Sequence, residues 1–169
     1  ADRLRGLREF TLDLLDRVVA VAAEAGREEY AYDAAGTLAF GQWSGLPDGV
    51  SPGGERRVVG TMIRRAGGVR CHHDRAGRVT TRRVAGAAGE DRVWRYTWDA
   101  EDRLIAVLDP DGVTWRYRYD GLGRRVAKQR LAPDGVTVIA EETFVWDGVR
   151  LAERVASDGH VTTWDWHPD

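Results

Sequence analysis

The sequence is poor in several things, and each shortage rules something out. It has one cysteine, Cys71, so no internal disulfide can form and a disulfide-stapled mini-fold is excluded, while the redox compartment stays open. No stretch approaches the roughly 18 consecutive apolar residues of a membrane span, and the first residues lack the charged-then-apolar layout of a signal peptide. Any export has to be directed by sequence outside these 169 residues. Charge of one sign is not in excess either: the formal net charge is −2 and the pI is near 6.1. That balance does not favour nucleic acid or an anionic membrane as a partner. Lysine is nearly absent, since Lys128 stands beside 24 arginines, a bias from which no function is read.

What is present is a 43% hydrophobic content in a length suited to one domain, enough to bury a core. The sequence is also internally repetitive. Tyr96-Thr97-Trp98-Asp99-Ala100-Glu101-Asp102-Arg103-Leu104 and Tyr117-Arg118-Tyr119-Asp120-Gly121-Leu122-Gly123-Arg124-Arg125 share the pattern aromatic-x-aromatic-Asp-x-x-Gly/Asp-Arg. Tyr30-Ala31-Tyr32-Asp33 with Gly36 fits, as does Cys71-His72-His73-Asp74 with Gly77, both aromatic slots eroded. Phe144-Val145-Trp146-Asp147-Gly148 fits with a turn shorter by one residue. Phe10-Thr11-Leu12-Asp13 opens a further copy, and Trp164-Asp165-Trp166-His167 another with His in the Asp slot.

Seven copies are recognisable, their turn residues 20, 41, 25, 21, 27 and 20 positions apart. The gap of 41 contains Pro47, Gly49, Pro52, Gly53 and Gly54. It reads as a loop-rich interruption over about 44–57 before a strand around Val58–Arg65, and it has room for a decayed copy. Exposed loop is expected at Gly45–Gly54. Asp2-Arg3-Leu4 parallels Asp102-Arg103-Leu104 and the chain stops at His167-Pro168-Asp169, so both ends are expected to cut through a repeat.

Alternation such as Trp94-Arg95-Tyr96-Thr97-Trp98 or Trp115-Arg116-Tyr117-Arg118-Tyr119 puts the aromatics on one face of a β-strand and the Arg or Thr residues on the other. The Asp that follows accepts a hydrogen bond from backbone two residues on, and the Gly of Asp-x-x-Gly takes the left-handed conformation. The structural turn residues are thus Asp13, Asp33, Gly36, Asp74, Gly77, Asp99, Asp102, Asp120, Gly123, Asp147 and Gly148. Second turns follow at Asp109-Pro110-Asp111-Gly112, Pro133-Asp134-Gly135 and Ser157-Asp158-Gly159. The fold class is all-β, an antiparallel meander of hairpins over residues 1–169. Leu14, Leu15, Val18, Val21 and Ala22 have helical spacing, but the template match and the β-branched valines favour strands over Leu12–Ala25.

The expected aromatic face comprises Tyr30, Tyr32, Trp94, Tyr96, Trp98, Trp115, Tyr117, Tyr119, Phe144, Trp146, Trp164 and Trp166. Such a stripe could stack sugars or bases, yet large aromatics more often pair across strands, so packing between hairpins is the favoured role. His72 and His73 point to opposite faces and cannot jointly ligate a metal. Ser44, Ser51 and Ser157 lie in turn-rich sequence without a Gly-x-Ser-x-Gly elbow. No catalytic, cofactor or metal residues are assigned.

Tyr117 to Arg124 and Phe144 to Leu151 resemble the YD repeats of Rhs proteins and teneurins, and Trp115 through Leu151 resembles the late part of a bacterial Rhs core. The resemblance implies a spiralling β-sheet that closes into a shell around a C-terminal toxic domain, hence encapsulation and delivery outside the producing cell. Its implied partners are flanking repeats of the same polypeptide and an enclosed toxin domain, with no cofactor. YD repeats also occur in cell-surface proteins, which implies adhesion or carbohydrate binding as the alternative. Asp109-Pro110-Asp111-Gly112-Val113 resembles the family's Asp-Pro-x-Gly-Leu cleavage motif but has Val for Leu and is followed by repeats, so an ordinary turn is expected there. Arg125 stands where other copies have Leu104, Leu38 or Val79, which would shift its return strand by one residue. A fragment of this kind is expected to self-associate through its edge strands, near Leu4–Leu7 and Thr162–Trp166.

Overall fold

A computed structural model describes residues 7–24, 26–44, 53–86 and 89–166. Among these residues there are fifteen β-strands and no helix. They are β1 (Arg8–Leu12), β2 (Val18–Ala23), β3 (Gly26–Tyr32), β4 (Leu38–Trp43), β5 (Gly53–Val59), β6 (Met62–Ala66), β7 (Val69–His73) and β8 (Val79–Val84). They continue as β9 (Arg92–Trp98), β10 (Leu104–Leu108), β11 (Thr114–Tyr119), β12 (Arg125–Leu131), β13 (Val138–Asp147), β14 (Arg150–Ala156) and β15 (Val161–Thr163). The strand order of the sheet is the order of the chain. Residues divide into two compact units, Ala1–His73 with Arg82–Arg92 and Asp74–Thr81 with Val93–Asp169.

In the first unit, β1 to β4 form two hairpins that reverse at Asp13-Leu14-Leu15-Asp16 and Asp33-Ala34-Ala35-Gly36. The helical spacing of Leu14 and Leu15 comes from turn residues, which are almost fully exposed at 103% and 71%. The strand expected over Val58–Arg65 is instead a hairpin, β5 and β6 reversing at Gly60-Thr61, with Gly60 at φ 61°. A glycine turn without Asp escaped the template, and the expected interruption over 44–57 gives up 53–57 to β5. Residues 45–52, most of the expected exposed loop, lie outside the described residues, as do Leu4 in the expected first edge and His167.

In the second unit, β9 to β15 run as a meander with turns at Asp99, Asp109, Asp120, Asp134, Gly148 and Asp158. The return strand after Asp120 keeps the register of the others. Arg125 lies opposite Tyr119 just as Leu104 lies opposite Trp98, so the expected one-residue shift does not occur, and Lys128 faces Tyr117.

Within each unit the strands make a single layer, so little becomes fully buried. Val21, Val107, Ala127 and Leu131 are the buried apolar side chains among the described residues, fewer than a 43% hydrophobic content suggests. Most other apolar groups are half-covered by neighbours along and across the strands, where cross-strand pairs carry the stabilisation. One polar side chain, Gln129, is equally buried. Its Oε1 accepts from Arg116 Nε at 2.8 Å and its Nε2 donates to Glu141 Oε1 at 2.6 Å, a chain linking β11, β12 and β13. That chain lies opposite Trp115, Tyr117 and Tyr119, because residues adjacent along a strand alternate faces.

Candidate functional site

The feature that recurs most regularly is the turn. At Asp13, the backbone N–H donates to the Arg17 carbonyl at 2.9 Å and the Asp16 N–H donates back to the Asp13 carbonyl at 3.1 Å. The same two bonds close the turns that begin at Asp33, Asp74, Asp99, Asp109 and Asp120. This is the three-residue hairpin loop, a type I turn whose last residue is left-handed. Gly36, Gly77, Gly112 and Gly123 supply that conformation, with φ between 76° and 83°, while Asp16 and Asp102 adopt it at 57° and 61° despite carrying side chains. Gly148 differs: Asp147 still pairs with Arg150, and a two-residue turn joins β13 to β14.

In these six turns the Asp accepts more than the single bond expected of it, whereas among the described residues Asp158 accepts only from the His160 N–H. Asp120 Oδ1 accepts from the Leu122 N–H and the Arg124 N–H, both at 2.9 Å, and Asp120 Oδ2 takes the Arg124 Nε at 2.7 Å. Asp13 with Arg17, Asp74 with Arg78, and Asp99 with Arg103 repeat this arrangement. Asp33 makes the backbone bonds with Thr37 in the Arg place. Asp109 makes them too, and there Val113 leaves Oδ2 to the Trp115 indole N–H at 3.2 Å. The Asp109 segment is thus another turn of this type, although its sequence reads as a simple Pro-Asp-Gly bend. Arg stands in the repeat pattern, but its pairing partner depends on a turn geometry that spacing alone does not give.

Two of the arginines also reach the turn two strands further along the chain. Arg78 Nη1 donates to the Asp99 carbonyl at 2.9 Å and to Asp102 Oδ1 at 2.8 Å, and Arg124 Nη1 donates to the Gly148 carbonyl. Arg17 and Arg103 lie over the Tyr32 and Tyr119 rings, 4.6 and 5.5 Å from the centroids.

Five aromatics toward the ends of outgoing strands make a second link. Tyr32 donates to the Val18 carbonyl, Trp98 to Val79, Tyr119 to Leu104, Trp146 to Arg125 and Trp166 to Leu151, all at 2.8 to 2.9 Å. Each acceptor lies at the opening of the preceding return strand, as the first residue of β2, β8, β10 and β12 and as the second of β14. In four of these strands the register slips just after it, skipping Val19, Ile105, Val126 and Ala152. A β-bulge interrupts the ladder and bends the strand there, and the phenol or indole tip supplies a donor at the interruption.

Of the residues expected on the aromatic face, Tyr30, Tyr32, Trp94, Tyr96, Trp98, Trp115, Tyr117, Tyr119, Phe144 and Trp146 are half-buried, whereas Trp164 and Trp166 are exposed. In the second unit, Tyr96 and Trp115 flank buried Val107 in one cross-strand row. Cations interleave with them: Lys128 Nζ lies 4.5 Å from the Trp115 ring and Arg125 lies 4.5 Å from that of Tyr117. Burial pushes the Tyr117 phenol above its ordinary pKa, as it does the Cys71 thiol. His72 and His73 alternate between exposed and half-buried sides of β7, and His73 Nδ1 lies 3.5 Å from Arg64.

The turn carboxyls are held in their charged form. At Asp13 the Arg17 guanidinium lowers the pKa. At Asp74, Asp99 and Asp120 partial burial pushes upward, but the bonds from Arg78, Arg103 and Arg124 outweigh it and the net direction is down. The arrangement is chemically suited to fixing main chain, each carboxylate tying two backbone N–H groups and one guanidinium.

The RHS Repeat family model matches residues 73–112 and 98–137, which contain the Asp74, Asp99 and Asp120 turns. Double-stranded DNA deaminase toxin A of Burkholderia cenocepacia is 34% identical over the whole of this chain. The chain belongs to the Rhs repeat family. Probable deoxyribonuclease RhsB of Dickeya dadantii is 42% identical over 48% of the chain, and toxin protein Tse5 of Pseudomonas aeruginosa 36% identical over 64%. This Rhs chain spans 12% of the deaminase toxin, 5% of RhsB and 8% of Tse5. Its fold is shared with a Photorhabdus luminescens Tc holotoxin pore at a TM-score of 0.57, 15% identity, covering 92% of this chain and 9% of the other. A TcdB2-TccC3-Cdc42 structure matches at 0.55 and 12% identity over 96% of this chain and 11% of its own.

Proposed function

We propose that this chain is a structural segment of the shell of an Rhs-type polymorphic toxin, which encloses a C-terminal toxic domain and helps deliver it outside the producing cell. The observation that carries the reading is the repeated bond from an aromatic toward the end of one outgoing strand to a carbonyl at the opening of the adjacent return strand, made by Tyr32, Trp98, Tyr119, Trp146 and Trp166. Such links add hairpin to hairpin with no requirement for a separate core, as a container wall needs. Relatives named as toxins and matching folds in Tc toxin structures support the assignment. The chain contributes containment rather than catalysis, and its partners are flanking repeats and the enclosed domain. Neither nucleic acid nor a metal belongs to this role.

The test is protease challenge of the full-length protein that carries these repeats. The toxic domain should survive digestion at protease concentrations that destroy the same domain expressed alone. Equal digestion rates would overturn the shell reading, and specific glycan binding lost on Trp115→Ala would replace it with the adhesion reading.

A further inference from the structure

The near-neutral net charge hides a strong segregation. Residues 53–86 contain nine arginines against Glu55 and Asp74, a net of +7, which leaves −9 for the rest of the chain. Much of this charge comes to one face. Arg57 lies directly opposite Arg65, and Arg65 directly opposite Arg70, across β5, β6 and β7. Directly opposed residues share a face about 4.8 Å apart, and like charges in that relation destabilise a sheet. All three side chains lie on the exposed alternation of their strands. Arg83 of β8 meets Arg65 and Arg70 in an adjoining recess, where it is paired with Asp91 at 3.5 Å.

The arginines of the other alternation are occupied differently. Arg56 lies 5.9 Å from the Trp43 ring, and Arg64 contacts Met62 and His73. On the exposed side, Arg65 Nε donates to the Gly67 carbonyl at 3.1 Å, which fixes its guanidinium beside those of its neighbours. The recess over β5 to β7 encloses about 690 Å³, and Glu55 is the one acidic residue among its described lining. A row of forked donors that repel one another is a site built for an anion.

We propose that the Arg57–Arg65–Arg70 row, extended by Arg83, is a docking surface for an acidic polypeptide segment. The lining favours carboxylates over nucleic acid, because binding to single strands relies on aromatic platforms and neither recess is lined by Phe, Tyr or Trp. The inference is independent of the shell reading and can fail or stand without it.

The experiment is fluorescence anisotropy of a labelled oligo-glutamate peptide against this chain at low ionic strength, with an oligothymidylate of equal charge as the comparison. The Arg57→Gln/Arg70→Gln double variant should bind oligo-glutamate about tenfold more weakly, given charge-assisted bonds at both positions. Arg95→Gln/Arg118→Gln, which removes two exposed charges outside the row, should bind as the parent does. The melting temperature of the row variant should be unchanged or higher, since it separates like charges, so misfolding is distinguished from lost binding. Equal affinity in the row variant and the parent would overturn the proposal. So would tighter binding of oligothymidylate through the same arginines, or full displacement of the peptide by an equal charge concentration of pyrophosphate.

Discussion

Tyr119 donates its phenolic hydrogen to the carbonyl of Leu104 at 2.8 Å, joining the end of β11 to the start of β10 fifteen residues earlier. The acceptor sits just before the bulge at Ile105, where the ladder is interrupted. Removing only the hydroxyl isolates this link. Tyr119→Phe should destabilise the chain by about 1 kcal/mol, the ordinary net value of such a bond. Trp146→Phe removes an indole donor and ring volume together and should cost more. Equilibrium urea unfolding measures both, and an unchanged midpoint for Tyr119→Phe would show that water replaces the bond.

The turn carboxyls set the pH response. Asp13, Asp74, Asp99 and Asp120 have folded pKa values below the ordinary 3.8, so their contribution is fully present above that value and is lost as pH falls through the lower, folded values. The melting temperature should therefore stay level from neutrality to about pH 5 and fall steeply below pH 4. Asp99→Asn and Asp120→Asn should lower it at neutral pH and flatten the acid fall. An acid fall identical in the Asn variants would place the responsible carboxyls elsewhere.

The left-handed turn position gives a test of opposite signs. Gly123 has φ 76° and open space where a Cβ would stand, so Gly123→Ala meets only backbone strain and should lose about 1 kcal/mol. Asp16 already has φ 57°, and Asp16→Gly relieves strain while adding freedom to the unfolded chain, so it should be neutral to stabilising. Asp102→Gly should gain less than Asp16→Gly because it also gives up the contact with Arg78. Thermal unfolding of the three variants ranks them.

These features were unequally legible in the sequence. Trp94–Asp99 announced both strand and turn, because period-two alternation and an Asp with a left-handed residue three places on are local signals. The β5–β6 hairpin was not legible: Gly60-Thr61 lacks the Asp, and the arginine and β-branched alternation reads straight through it. Arg103 and Arg124 were visible as repeat positions, but their pairing with Asp99 and Asp120 follows from a turn that brings residues four apart together. The aromatic stripe was legible, whereas its bonds to Leu104 and Arg125 depend on bulges that no spacing reports. The Arg57–Arg65–Arg70 row exists only through register, and an overall charge of −2 concealed it.

Gln129 offers a test of the face opposite the aromatics. At 5% exposure it bridges Arg116 and Glu141, so Gln129→Ala leaves two charged groups short of a partner and should cost about 2 kcal/mol. Gln129→Glu keeps the acceptor for Arg116 but sets a carboxylate against Glu141. The variant should be destabilised at neutral pH and recover part of the loss on mild acidification, as one of the two carboxyls takes up a proton. Urea midpoints at two pH values decide it, and a Gln129→Glu variant equally stable at both would show that the pair separates.

The last prediction concerns the strands at the two ends of the sheet order. Within the described residues β1 pairs only with β2 and β15 only with β14, so each offers main-chain donors and acceptors along its outer side. Apolar side chains accompany them: Phe10 and Leu12 on β1 are 57% and 50% exposed, and Trp164 and Trp166 beyond β15 are 37% and 50% exposed. Edges that combine free ladder positions with apolar surface favour pairing with another copy. The 169-residue chain in isolation should therefore associate as its concentration rises, and appending neighbouring Rhs repeats should suppress that association by occupying the same ladder. A lysine on the outermost strand should act in the same direction, so Thr163→Lys, at an exposed position directly opposite Glu153, is expected to shift the equilibrium toward monomer without lowering the melting temperature. Light scattering across a concentration series reads the effect, and hydrogen exchange locates it. A chain that remains monomeric at high concentration with protected amides in β1 and β15 would show that these edges are already covered.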